Sequence, residues 1–243
     1  PSSPDLPVPT ALGALVITPP LPSATAVAFF DVDETLTTVK TMFDFYDFFL
    51  AAVGHSEEEQ ARLRDDARAL LLPGLPREQG NRLFYRRFAG YKAEQVDAAG
   101  EAWFDRHLER GGFFHRDVLD ALREHRAAGL ATVLVSGSFQ GCLGHVAAYV
   151  GADAVLCTRP EIRDGEYTGD VLETMIGDAK ARAARALLAE RGIAPEHCHA
   201  YGDHTSDLEL LRLVGHPVVV GSHPDMVAEA ERNDWRRLPG VPG

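Results

Sequence analysis

Thr25-Ala-Val-Ala-Phe-Phe30-Asp31-Val32-Asp33-Glu34-Thr35-Leu36-Thr37 is the stretch whose reading decides the fold. Its first six residues form a short, mostly apolar run that stops abruptly in acids. Such a run reads as a buried parallel strand, because a strand covered on both faces loses the polar alternation of a half-exposed one. The acids then stand at the strand's carboxyl end, where open α/β sheets gather their ligands.

Downstream, Met42, Phe45, Tyr46, Phe49 and Leu50 recur at three- and four-residue spacing, which predicts a helix over 39–53. Phe43, Phe45, Tyr46, Phe48 and Phe49 are too many aromatics for one face, so that helix packs in two directions. Residues 56–72 are rich in Glu, Arg, Ala and Leu and predict a second helix, broken by Pro73-Gly74-Leu75-Pro76. Two more helices follow near 77–89 and 93–108, punctuated by Gly90 and Gly111-Gly112. No strand is expected among them.

Beyond this block, strands and helices alternate. A helix near 115–128 precedes a β-branched apolar run at 130–135, then a helix over 139–150 and a strand at 154–157. Glu161-Ile-Arg-Asp164-Gly165-Glu-Tyr-Thr168 reads as a hairpin turning at Asp164-Gly165. A helix at 178–191, a strand at 198–201, a helix at 206–214, a strand at 217–220 and a helix at 225–233 complete the chain. This alternation argues for a parallel sheet covered on both faces. The expected fold is α/β: a Rossmann-like core at 25–45 and 111–243, with a helical cap inserted at 46–110. Upstream, seven prolines within 1–24 predict a mobile or extended arm.

The 243 residues suffice for such a core with an insert. A net charge of −12 argues against nucleic acid or an anionic membrane as partner. It also means that a site for an anion must supply its own cations. Three scattered cysteines, Cys142, Cys157 and Cys198, argue against disulfides or a zinc ribbon and for idle thiols in a reducing cytoplasm. No apolar run is long enough to span a membrane, and no secretory signal is visible.

Three strand ends are chemically marked: Asp31-Val32-Asp33, Ser136-Gly137-Ser138, and Gly202-Asp203-His204-Thr205-Ser206-Asp207. Lys180 lies near a helix start between the last two. Clustered carboxylates repel one another and bind a hard divalent cation well; magnesium typically takes one or two and keeps waters and a phosphate oxygen. A lysine, a hydroxyl and amides beside a glycine can neutralise a phosphoryl group. An aspartate can attack phosphorus, and a second carboxylate two residues on can pass protons. Gly137, Gly141 and Gly144 do not match a dinucleotide fingerprint, and there is no P-loop. His197 and His199 fall where a strand starts, so a structural role is expected; His204 lies between two site aspartates.

Asp31-Val-Asp33-Glu-Thr35-Leu-Thr37, Val135-Ser136-Gly137, Lys180 and Gly202-Asp203-x-x-x-Asp207 together resemble the four signature motifs of the haloacid dehalogenase superfamily, in the right order. The helical insert, Val135-Ser-Gly-Ser-Phe139 and the hairpin at 164–169 are similar to its phosphoserine-phosphatase-like branch, with a C1-type cap. The resemblance implies a magnesium-dependent phosphatase working through an aspartyl-phosphate. It implies Asp31 as nucleophile and magnesium ligand, and Asp33 as general acid/base offering its backbone carbonyl to the metal. Ser136, Gly137 and Lys180 would hold the phosphoryl group, Asp203 would bind metal, and Thr35 and Asp207 would support. An aspartate at position 33 favours a phosphatase over a dehalogenase, since a departing alkoxide needs a proton and a halide does not. The same residues would serve a phosphotransferase; a non-catalytic binding module would be expected to have lost Asp31 or Lys180.

The chain departs from the resemblance in one place. Phosphoserine phosphatases carry a glutamate nine residues after the nucleophile to grip the substrate's ammonium, and here that position is Lys40. The charge reversal speaks against phosphoserine and for a small phosphorylated metabolite with a second anionic group. Arg82 and Arg86, four apart, and His204 are the other expected pocket residues.

Overall fold

The apolar runs form the sheet. In a computed structural model describing residues 15–16 and 23–241, the strands are Leu15–Val16 (β1), Val27–Asp31 (β2), Ala131–Phe139 (β3), Ala154–Arg163 (β4), Glu166–Glu173 (β5), His199–Gly202 (β6), His216–Val220 (β7) and Arg236–Leu238 (β8). Their order is β1-β4-β3-β2-β6-β7-β8, with β5 paired to β4. From β4 to β8 neighbours run parallel. The chain steps outward from β2 to β3 and β4, then returns to the other side of β2 for β6, β7 and β8. The order reverses between β2 and β6, so a crevice opens beyond their carboxyl ends.

The first helices are Thr41–Ala52 (α1), Glu57–Arg68 (α2), Arg77–Tyr85 (α3) and Ala93–Arg110 (α4). Arg116–Ala127 (α5), Gln140–Val150 (α6), Asp178–Arg191 (α7), Leu208–Leu213 (α8) and Pro224–Asn233 (α9) flank the sheet. A capping box, Ser56 with Glu59, starts α2. The aromatic surplus of α1 goes where two-directional packing requires. Phe45 meets Trp103 of α4 and Phe139 at the end of β3, while Tyr46 meets Phe84 of α3. The expected core–cap boundary at 45/46 falls inside the unbroken α1, so a hinge there has to lie before Thr41 or after Ala52. At the crossing of α4 and α6, a Cβ on Gly100 would lie 1.9 Å from the Gly141 carbonyl oxygen.

β3 and β4 are longer than their apolar runs, because both continue into the bulge and hairpin that shape the crevice. At the hairpin, Asp164 and Gly165 both take positive φ, as a two-residue turn requires. The expected arm at 1–24 lies outside the described residues except for residues 15–16 and 23–24; β1 pairs antiparallel with β4. β8 is not among the strands expected from the sequence, because Arg236 and Arg237 give it no apolar signal. All three cysteines are free and buried. Among the described residues, no helix is long and apolar enough to cross a membrane.

His199 and His216 open β6 and β7, at the end of the sheet away from the crevice. Their rings stack at 4.6 Å, and His125 of α5 lies 4.2 Å from His199. Burial, then His125 and His216, push His199 down to about 4, and burial also lowers His125. Between about pH 6.5 and 4 the unfolded chain therefore binds protons that the folded protein refuses, so stability falls as pH falls. His199→Gln should recover roughly a few degrees of the melting temperature lost over that interval. Melting curves of both proteins across that range test this, and parallel pH profiles would refute it.

Candidate active site

β2 delivers Asp31 to the crevice, 4% exposed. Beyond it the chain makes a tight turn, closed by Thr37 N–H donating to the Val32 carbonyl at 2.9 Å. Glu34 sits in the left-handed region (φ 59°), which costs a non-glycine residue roughly 1–2 kcal/mol. The turn brings Asp33 to the start of α1, where Thr41 N–H and Oγ1–H donate to Asp33 Oδ1 at 2.7 and 2.6 Å. Those N-terminal donors and the helix dipole suit a carboxylate. Burial pushes Asp33 upward, against the pull of the Thr41 bonds.

Lys180 enters from the first turn of α7. Its Nζ lies 2.5 Å from Asp31 Oδ1 and 2.6 Å from Asp207 Oδ1, and all three side chains are buried. Asp203 follows β6, and its Oδ1 accepts from Thr35 Oγ1 at 3.3 Å. Asp207 Oδ2 accepts from the His204 amide at 3.3 Å. Oxygens of Asp31, Asp203 and Asp207 lie within 4.8 Å of one another. Burial would lower Lys180, but the Asp207 and Asp31 carboxylates outweigh it and hold the ammonium charged. Burial and then Asp207 raise Asp31 well above the usual range, and the same two causes raise Asp203 to about 7. One ammonium is too little for this much negative charge, and an all-oxygen donor set short of positive charge fits a hard divalent cation. Both oxygens of Asp207 are engaged, Oδ1 by Lys180 and Oδ2 by the His204 amide. Among the described residues Asp31 and Asp203 each have a donor on Oδ1 alone, which leaves them the freer ligands.

Ser136 and Gly137 lie at a bulge. Pairing with β4 jumps from Ser136↔Cys157 to Phe139↔Thr158, leaving Gly137 and Ser138 outside the ladder. Ser138 N–H donates to Ser136 Oγ at 3.0 Å. Asn81 Nδ2 and Tyr85 Oη, both on α3, donate to the Gly137 carbonyl at 2.8 and 3.0 Å. A Cβ on Gly137 would stand 2.4 Å from Ile176 Cδ1, so the corner is closed to larger residues unless Ile176 moves.

A cavity of about 290 Å³ joins most of these groups; Gly137 and Asn81 line it, whereas Ser136 and Thr35 are buried just behind its wall. Asp31, Asp33, Lys180, Asp203 and Asp207 line it on one side, and Met42, Phe43, Leu70, Leu71, Leu75 and Ile176 give it apolar wall. Lys40 lines it too, paired with Glu34 at 3.2 Å. His204 also lines it; burial and then Arg77 push its ring down to about 4. The arginines expected in the pocket are elsewhere. Arg82 donates to the Val171 carbonyl on β5 at 2.7 Å, Arg86 belongs to the 3₁₀ turn Arg86–Phe88, and neither lines the cavity. Arg77 lines it instead, its Nη1 2.9 Å from the His204 ring nitrogens. Arg77, Asn81 and Tyr85 are spaced by four and share one stripe of α3. That stripe was readable in the sequence, one position out of phase with Arg82 and Arg86.

The chain matches the family model for haloacid dehalogenase-like hydrolases over residues 28–212. It is 30% identical over 217 residues to a Mycobacterium tuberculosis protein named as a probable phosphatase, an alignment covering 88% of this chain and 75% of the relative. Among solved structures, a Bordetella pertussis Tohama I protein of unknown function superposes with a TM-score of 0.79 at 25% identity, covering 88% of this chain and 98% of the other. A phospho-aspartyl intermediate analogue of phosphoserine phosphatase shares the fold at a TM-score of 0.64 and 18% identity, covering 89% and 93%.

Proposed function

The chain belongs to the haloacid dehalogenase-like hydrolase family, and we propose that within it this protein is a phosphatase that hydrolyses a small phosphomonoester by attack of Asp31 on phosphorus. The observation that carries this reading is the Lys180 ammonium held between Asp31 and Asp207, with Asp203 beside them and Asp33 on the helix start next door. A nucleophile, a cation for phosphoryl oxygens and a second carboxyl group for protons thus share one cavity.

In the first half-reaction an Asp31 oxygen bonds to phosphorus as the ester oxygen leaves, giving an aspartyl-phosphate. The leaving oxygen takes a proton from Asp33, whose raised pKa suits an acid. In the second, Asp33 takes a proton from water, the water oxygen bonds to phosphorus, and Asp31 is released. Lys180, the Ser136 hydroxyl and the backbone beside Gly137 hold the phosphoryl oxygens. Asp31 and Asp203, with the Asp33 backbone carbonyl, would hold magnesium; the Asp33 carboxylate is engaged by Thr41. When bound, the cation would neutralise the facing anions and polarise a phosphoryl oxygen. Helices α2 to α4 would act as the cap over this site. Transfer to another alcohol would use the same steps with a different acceptor.

The substrate's remaining part meets apolar wall and two cations. Glu34 partly neutralises Lys40, whereas among the described residues the Arg77 guanidinium meets an imidazole and no carboxylate. Arg77 is therefore the stronger candidate for a second anionic group on the substrate, with Lys40 in support. Phosphate release from phenyl phosphate and 4-carboxyphenyl phosphate, after EDTA treatment and with magnesium restored, tests both levels of the reading. Release should require the metal, and the carboxylate should raise kcat/KM by roughly tenfold or more. Arg77→Ala should remove most of that preference and Lys40→Ala less. No release from either ester would sink the phosphatase; equal kcat/KM for the two would sink only the anionic tail.

A further inference from the structure

Helix α3 reaches past the substrate cavity to the corner that holds Ser136. The Gly137–Ser138 peptide sits outside the β3–β4 ladder, so the sheet does not fix its orientation. Its carbonyl is taken by two donors from α3, Asn81 Nδ2 and Tyr85 Oη. Its N–H is taken by Ser136 Oγ. Asn81 is itself held in one orientation, because its Oδ1 accepts from Thr158 Oγ1 at 3.1 Å. Thr158 Oγ1 in turn accepts from the Met175 amide at 3.1 Å. Asn81, Tyr85 and Thr158 are all buried, at 5%, 0% and 1% exposure.

We infer that Asn81 and Tyr85 are positioning residues: by pinning the Gly137–Ser138 peptide they leave the Ser136 hydroxyl free to donate to a phosphoryl oxygen. The inference rests on the phosphoryl-handling role proposed for this site. A hydroxyl has one proton to give and can also accept. With Ser138 N–H donating to Ser136 Oγ, the serine's own proton is directed away from that amide and towards another acceptor. Were the peptide to flip, its carbonyl oxygen would face Ser136 and claim that proton, and the buried Asn81 amide and Tyr85 hydroxyl would both lose their acceptor. The two α3 donors thus select the peptide orientation in which Ser136 is a donor to ligand. The chain through Thr158 to Met175 ends beside Ile176, in the segment leading to Lys180. One side chain, Asn81, therefore spans the serine and lysine approaches to the phosphoryl group.

The test is a double-mutant cycle on Tyr85→Phe and Ser136→Ala, which keeps the buried ring of Tyr85 and removes only its hydroxyl. The readouts are calorimetric affinity for orthovanadate with magnesium present, kcat and KM on phenyl phosphate, and melting temperature. Tyr85→Phe should weaken vanadate binding about fivefold in the wild type and have almost no effect once Ser136 is alanine. Asn81→Asp, which sets an acceptor against the Gly137 carbonyl, should weaken it by more. An equal loss from Tyr85→Phe in both backgrounds would show that α3 merely docks there, and would overturn the inference. So would vanadate affinity unchanged by either α3 substitution, or wild-type protein that binds no vanadate at all. Because binding is read separately from turnover, a protein that binds vanadate but releases no phosphate from esters refutes the phosphatase while the cycle still decides the role of α3.

Discussion

The Asp31→Asn protein is expected to fold normally and to turn over phosphomonoesters at least about a thousandfold more slowly than the wild type. An amide cannot form the acyl-phosphate, and it is a poor ligand for a hard cation. The fold should survive because Asp31 is one of several carboxylates around a single ammonium. Its neutralisation leaves Lys180 paired with Asp207 at 2.6 Å and removes repulsion from Asp203. The melting temperature of the metal-free protein should therefore not fall. The informative failure is a variant that keeps a tenth of the wild-type rate, since that would move the nucleophile elsewhere.

Lys180→Met should damage both stability and activity. The ammonium is buried between Asp31 and Asp207, so its removal leaves buried carboxylates facing one another unpaired. Breaking a buried pair on one side typically costs about 3–5 kcal/mol. Magnesium should restore part of that stability, because it can supply the missing charge. Activity should stay low even at saturating metal, since the phosphoryl group has lost its lysine. Urea denaturation of both proteins, with and without magnesium, measures the first effect, and an unchanged midpoint without metal would show that Lys180 does not balance the cluster.

Much of the site was legible because its residues stand at the ends of apolar strands. Asp31, Ser136 and Asp203 sit at or just past such ends, where topology alone brings side chains together, and the structure places Lys180 and Asp207 with them. The α3 contribution was not legible in the same way. A helix tells its rotational phase only through its apolar stripe, and α3 buries an amide and a phenol along with Phe84. The spacing of four that pointed to Arg82 and Arg86 holds equally for Arg77, Asn81 and Tyr85, and only the packing of α3 against β5 fixes which stripe faces the cavity. The Asp33–Thr41 contact was hidden for another reason. It depends on a left-handed Glu34, and no residue type in that loop announces the conformation. The helix–strand order was readable from β2 to α9, while β1 lies in a stretch whose prolines point to an arm, and β8 is a three-residue strand with two arginines.

A single hydrophobic cluster runs from Ala28 and Phe30 of β2 through Phe45 and Phe49 of α1 to Phe84, Phe88 and Trp103. The helices before residue 111 thus have no separate interior to keep them folded when the sheet is lost. Their melting is bound to that of the sheet, and heat should take both in one cooperative step. The cavity lies at the join, lined by α1 and α3 on one side and the strand-end loops on the other. Any ligand that binds only the native form there draws the whole equilibrium towards the folded state, by RT ln(1 + [L]/Kd). For this chain a shift in melting temperature therefore reports occupancy of the site even when no turnover is seen, which turns a library of phosphorylated compounds into a direct reading of what the cavity accepts.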